Sequence, residues 1–102
     1  MISVLRDPNR KAQLAVPTIY TTNVGAASVQ ALPQNPNRQM LEISNKHATN
    51  TLYYYFGGTA TTTNSVALPP NTTIIFDAKV PWESVNLIAS GAGTSVLVRE
   101  YN

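Results

Sequence analysis

Residues 31–58 read Ala-Leu-Pro-Gln-Asn-Pro-Asn-Arg-Gln-Met-Leu-Glu-Ile-Ser-Asn-Lys-His-Ala-Thr-Asn-Thr-Leu-Tyr-Tyr-Tyr-Phe-Gly-Gly. This stretch decides the fold, because it reads as turn, strand, turn, strand. Pro33 and Pro36 lack the N–H that a ladder needs and bias the residues before them toward extended backbone, so pairing resumes at about Gln39. From there Met40, Leu41 and Ile43 are apolar while Glu42 and Ser44 fall on the opposite phase, the period of a half-buried strand. Asn45 to Asn50 is turn chemistry, since Asn tolerates left-handed backbone and hydrogen-bonds its own turn. Leu52 to Phe56 is strongly strand-forming. Gly57-Gly58 ends it by permitting positive φ or a bulge.

Outward from this stretch the same rhythm repeats. Ala26 to Leu32 precedes it as strand and turn, and the Thr-rich loop Thr59 to Asn64 follows it with no core-forming residue, which predicts exposure. Val66 to Leu68 is a short strand that Pro69-Pro70-Asn71 turns, and Thr73 to Asp77 returns. Pro81-Trp82 opens a bend before Val85 to Ala89, and Gly91-Ala92-Gly93 turns into a closing strand, Ser95 to Glu100. At the other end of the chain, Ile2, Val4 and Leu5 suit a short strand, Asp7 to Arg10 a turn, and Ala12 to Tyr20 an extended segment broken by Pro17. Pro8 and Pro17 sit poorly in central strands. Residues 1–25 are therefore expected as an extended N-terminal arm or outer strands, and residues 26–102 as the domain proper.

No window carries a period of three to four residues over ten or more positions, so helix is minor. Short strands at spacings of about ten residues, separated by Pro, Gly and Asn, predict an all-β chain: an antiparallel β-sandwich, jelly-roll-like or Ig-like, or a small β-barrel. At 102 residues the chain is one domain with one modest core. Apolar residues are 43% and charged residues only 12%, so Asn, Thr, Ser and Gln must supply most of the polar surface. The net charge of +2 comes from scattered cations, Arg38, Lys46, Lys79 and Arg99, beside one loose group at Arg6, Arg10 and Lys11. Nucleic-acid binding needs basic residues gathered on a face, so nucleic acid is not an expected partner. There is no cysteine, hence no disulfide framework. No apolar run reaches membrane-spanning length, and the first residues lack a signal-peptide core, so a soluble chain made in a cytoplasm is expected.

The residues that carry chemistry are few. Glycan hydrolysis needs two carboxyl groups flanking a bond; Glu42, Asp77, Glu83, Glu100 and Asp7 read instead as solvated or turn-capping acids, with Glu42 pointing to solvent between Leu41 and Ile43. His47 is the single histidine and lies in a turn, with no Ser in a nucleophile-elbow setting. Nitrogen or sulfur metal ligands are short in number. The Gly57-Gly58 and Gly91–Gly93 segments open no helix that would cradle phosphate. No catalytic group, cofactor or metal is expected. The aromatic residues are the stronger signal. Tyr53 and Tyr55 share one side of their strand, Tyr54 and Phe56 the other. Tyr54 and Phe56 are expected in the core, while Tyr53 and Tyr55 either stack on cross-strand neighbours or meet another subunit. Trp82, beside Pro81, reads as an interface anchor, a core plug at a bend, or a sugar-stacking platform.

Gln34-Asn35-Pro36-Asn37-Arg38, Tyr55-Phe56-Gly57-Gly58-Thr59-Ala60-Thr61, Leu68-Pro69-Pro70 and Ile88-Ala89-Ser90-Gly91, taken as an ordered set, resemble the small β-sandwich virion proteins of tailed bacteriophages: head decoration, cement and fibre-base modules. The resemblance spans residues 29–100 and leaves the first 25 residues unmatched. It departs at Asn71, where such turns often carry Gly, although Asn reaches the same backbone conformation. It implies a non-enzymatic structural role in the virion, assembly in the host cytoplasm, and contact with the major capsid protein or other virion proteins as a homo-oligomer, with a trimer the expected number. The alternative it leaves open is a glycan-binding or receptor-binding module of a fibre or tail. The partner-contact candidates are Ile2, Val4, Leu5, Tyr20, Tyr53, Tyr55 and Trp82.

Overall fold

The computed structural model describes residues 17–102. Among these residues eight strands run in chain order: β1 (Thr18–Tyr20), β2 (Val29–Leu32), β3 (Met40–Asn45), β4 (Leu52–Phe56), β5 (Val66–Leu68), β6 (Thr72–Phe76), β7 (Val85–Ala89) and β8 (Val96–Tyr101). They form two antiparallel four-stranded sheets, β1-β8-β3-β6 and β2-β7-β4-β5. Every connection except β4–β5 passes from one sheet to the other. Of the expected architectures, this strand order is that of the eight-stranded jelly roll.

The alternation read from the sequence sets the two inner faces. Leu41 and Ile43 of β3 stand opposite Phe76 and Ile74 of β6, and Val96 and Val98 of β8 share their side. From the second sheet Leu52 and Tyr54, Val85, Leu87 and Ala89, and Leu68 point at them, and together with Val24 and Leu32 they make one buried cluster. Fully burying a Leu or Ile contributes about 1.5–3 kcal/mol each, which suffices for a small domain held without disulfides. Tyr54 of this cluster forms an aromatic trio with the half-buried Phe56 and Phe76 packed against it, with ring centroids 5.5, 5.6 and 6.1 Å apart. Burial holds the Tyr54 phenol above its ordinary value of 10.0, because the phenolate would lose its water.

Of the two expectations for residues 1–25, an arm or outer strands, the described part takes the second. Thr18–Tyr20 pairs with β8 as an outer strand, Tyr20 packs on the core opposite Val98, and Val24, bridged to Thr94, is 1% exposed. Residues 18–25 thus belong to the sandwich, since Tyr20 and Val24 complete its core. The expectations for Ile2, Val4 and Leu5 lie outside the described residues.

Turn chemistry places the loops. Asn71 takes φ 56° in the Pro69–Asn71 turn, while Gly57 and Gly93 take φ 86° and 69°. Asn45 is 2% exposed and points inward, where Nδ2 donates to the carbonyls of Asn50 and Leu68 and Oδ1 accepts from the His47 N–H. His47 Nδ1 in turn accepts the N–H of Asn50 at 2.9 Å. These bonds satisfy backbone groups that the crossing loops leave without ladder partners.

Candidate functional site

Three surfaces carry the residues singled out from the sequence. The first is the outer face of β1-β8-β3-β6. Register places Ile19, Arg99, Glu42 and Ile75 in one row across its four strands. With strands about 4.8 Å apart, the two isoleucines stand roughly 14 Å from each other. Each is 54% exposed. Between them Arg99 Nε and Nη2 both donate to Glu42 Oε1, at 2.8 and 2.5 Å, and that bond raises the Arg99 pKa further above its ordinary value. Glu42 was expected in solvent. It does lie on the outward phase, but it is only 8% exposed, because β3 is a central strand and Arg99 covers it. The flanking rows hold half-buried Leu97, Met40 and Tyr101, and the hydroxyl pair Ser44 and Thr73. Toward the loops this face ends in a shallow polar hollow of about 180 Å³ lined by Ser44, Asn45, Lys46, Asn71 and Thr73.

The second surface is the outer face of β2-β7-β4-β5, where Tyr53 and Tyr55 lie. Both are half-buried: Tyr53 stands between Ala67 and Ile88, and Tyr55 stands beside Asn86. The loop after β4 folds back over this face. A Cβ at Gly58 would meet Tyr55 Cε2 at 3.3 Å, and the Ala60 N–H donates to Ser28 Oγ at 2.9 Å. Ala60 is 1% exposed, so the loop expected to be wholly outside contributes one buried residue, while Thr59 and Thr61 to Asn64 are exposed.

The third is the end of the sandwich where the connections β2–β3, β4–β5 and β6–β7 gather. Arg38, read from the sequence only as one scattered cation, has a side chain 0% exposed. Its Nε donates to Glu100 Oε1 at 2.7 Å, Nη1 to the carbonyls of Pro81 and Glu83 at 2.7 and 2.9 Å, and Nη2 to the Pro33 carbonyl at 3.0 Å. Asn35 Nδ2 also donates to Glu100 Oε1, and the Asn35 N–H donates to the Trp82 carbonyl at 2.7 Å. Trp82 sits on this bend with 52% of its surface exposed. It is therefore no core plug. One signal could have revealed the network: Glu100 shares the apolar phase of Val96 and Val98, and an acid there demands a buried cation.

The four candidates among the described residues are not gathered. Tyr20 faces the core, Tyr53 and Tyr55 share one outer face, and Trp82 stands at the end of the sandwich. Among the described residues the ion-paired carboxylates Glu42 and Glu100 lie on opposite faces of one sheet, so they flank no common cleft. Among the described residues no three His, Asp or Glu side chains come together as metal ligands. Comparison of the chain with models of protein families, with curated proteins and with solved structures finds no match.

Proposed function

We propose that the chain is a non-enzymatic structural protein of a tailed-phage virion, which decorates or cements the capsid by binding between subunits of the major capsid protein as a homo-oligomer. The observation that carries this reading is the outer face of β1-β8-β3-β6. Ile19 and Ile75 stand exposed at its two edges, and the charges between them already neutralise each other. Such a face loses apolar contact with water on docking and leaves no lone charge to desolvate. Attachment to closed shells alone stabilises them by mass action, by about 2.7 kcal/mol at a hundredfold excess over Kd. The test is to add the purified chain to heads that lack it. Saturable binding and a higher disruption temperature are expected; heads that neither bind it nor gain stability overturn the reading.

The second reading, a glycan-binding or receptor-binding module of a fibre or tail, is supported by the exposed Trp82 indole. Titration of its fluorescence with oligosaccharides separates the two, since decoration predicts no response.

A further inference from the structure

We infer that β6 is the seam of a two-fold homodimer: Thr72–Phe76 of one chain pairs antiparallel with the same strand of a second copy, joining two four-stranded sheets into one of eight. The inference rests on the decoration reading only where that reading calls for a homo-oligomer, and it names where two copies meet.

Four strands end the two sheets, β1, β6, β2 and β5. An unpaired edge invites another chain, and proteins that stay apart blunt it with shortness, proline, charge or a bulge. β1 has three residues and follows Pro17, β5 has three and runs into Pro69, and β2 breaks register between Gln30 and Leu32. β6 has none of these devices. It reads Thr-Thr-Ile-Ile-Phe, five residues in unbroken register with β3.

Its backbone presents the groups that pairing needs. The Lys46 N–H donates to the Ser95 carbonyl, which aims Lys46 at β8; alternation along β3 then aims Leu41, Ile43 and Asn45 at β6. Phe76, Ile74 and Thr72 answer them, so the N–H and C=O groups of Thr73 and Ile75 face away from the sheet. Among the described residues no loop or turn backbone bond reaches either of them. With Ile74 set opposite the second copy's Ile74, all five residues pair, and Thr73 and Ile75 exchange N–H···O bonds across the seam in both directions.

Charge selects a second copy as the occupant. In that register Asp77 stands opposite the second copy's Asn71, which lies beside Lys46 where the β3–β6 register runs on past Asn45 and Thr72. Asp77 and Lys46 are both exposed and both on the outer phase. Two strand spacings, about 9.6 Å, separate them, a span their side chains bridge. The polar hollow lined by Ser44, Asn45, Lys46, Asn71 and Thr73 is where that carboxylate arrives, and the two-fold axis makes the pair twice. The apolar margin agrees. Ile74 and Phe76 face inward yet are only half-buried, and Val66, on the inward phase of β5 through its pairing with Tyr54, is 55% exposed. Pairing covers this margin and leaves the outer face, with Ile19 and Ile75, turned outward.

The test weighs the full chain by sedimentation equilibrium from about 1 μM to about 1 mM. A reversible monomer–dimer equilibrium with a limiting mass of twice 11.0 kDa is expected, with amide exchange at Thr73 and Ile75 slowing as concentration rises. Asp77→Lys and Lys46→Asp are each expected to weaken the dimer about tenfold at low salt, and the double swap to restore it within about threefold. Thr73→Pro removes only an N–H that faces away from β3, so a monomer with the native circular dichroism is expected. Should that variant lose its native spectrum, the charge swaps decide alone. A native chain that stays monomeric, or forms trimers, overturns the pairing whether or not heads bind it. Silent charge swaps, a folded Thr73→Pro that still dimerises, or exchange at Thr73 and Ile75 that ignores concentration overturn it too. A dimer that meets these tests but binds no heads upholds the pairing and fails the decoration reading.

Discussion

Arg38 and Glu100, 62 positions apart in the chain, meet inside one end of the sandwich with Nε 2.7 Å from Oε1 and side chains 0% and 7% exposed. The bond joins the β2–β3 loop to the last strand. Through the other guanidinium donors it also joins both to the β6–β7 bend. Removing one partner leaves the other charged and without water. Arg38→Ala is therefore expected to cost about 3–5 kcal/mol, read from urea unfolding, and the paired replacement by Met and Leu distinctly less. A loss below about 1 kcal/mol in Arg38→Ala, the size of an exposed pair, would mean that the guanidinium is solvated.

Tyr54 makes stability fall in alkali. Its folded pKa lies above 10.0, so below pH 10.0 both folded and unfolded chains hold the proton and nothing is lost. Above it the unfolded chain releases the proton first, and stability declines as pH rises toward the folded value. Tyr54→Phe is expected to flatten that decline in denaturant titrations between about pH 9 and 11.5. An equal slope in both proteins would assign the loss to other groups.

Asn71 stands at φ 56°, where a Cβ-bearing residue without a short polar side chain costs roughly 1–2 kcal/mol. Asn71→Ala is expected to lose about 1 kcal/mol and Asn71→Gly to change little. If alanine proves as stable as glycine in thermal unfolding, the turn adopts another backbone.

Ile75 is 54% exposed on the outer face. Ile75→Thr keeps the β-branch, so the unfolding midpoint of the isolated chain is expected to move by less than about 0.5 kcal/mol, while attachment to heads weakens. Unaltered attachment would place the contact elsewhere.

Much of the fold was legible locally. The period of two in Met40–Asn45 and in Leu52–Phe56, and the Pro, Asn and Gly punctuation, located the strands because side-chain direction and turn conformation are properties of a few adjacent residues. Tyr54 and Phe56 went inward as their phase required. The candidate surface was less legible. Trp82 stood out by type, yet the carbonyls on either side of it are held by Arg38 and its own by Asn35, from a loop four strands earlier in the chain. Tyr20 looked like an arm residue because nothing near it in the chain shows that Val98 waits opposite.

The sequence by itself determined an all-β chain of short strands, the inner and outer side of most of them, and the positions where the backbone had to turn. Only the tertiary structure decided which strands pair, that the order is a jelly roll, that Glu42 is covered, and that Arg38 lies buried against Glu100. The reason is that nearly every connection crosses between sheets. Neighbours in space are then distant in the chain, and their pairing depends on how both faces close over one core.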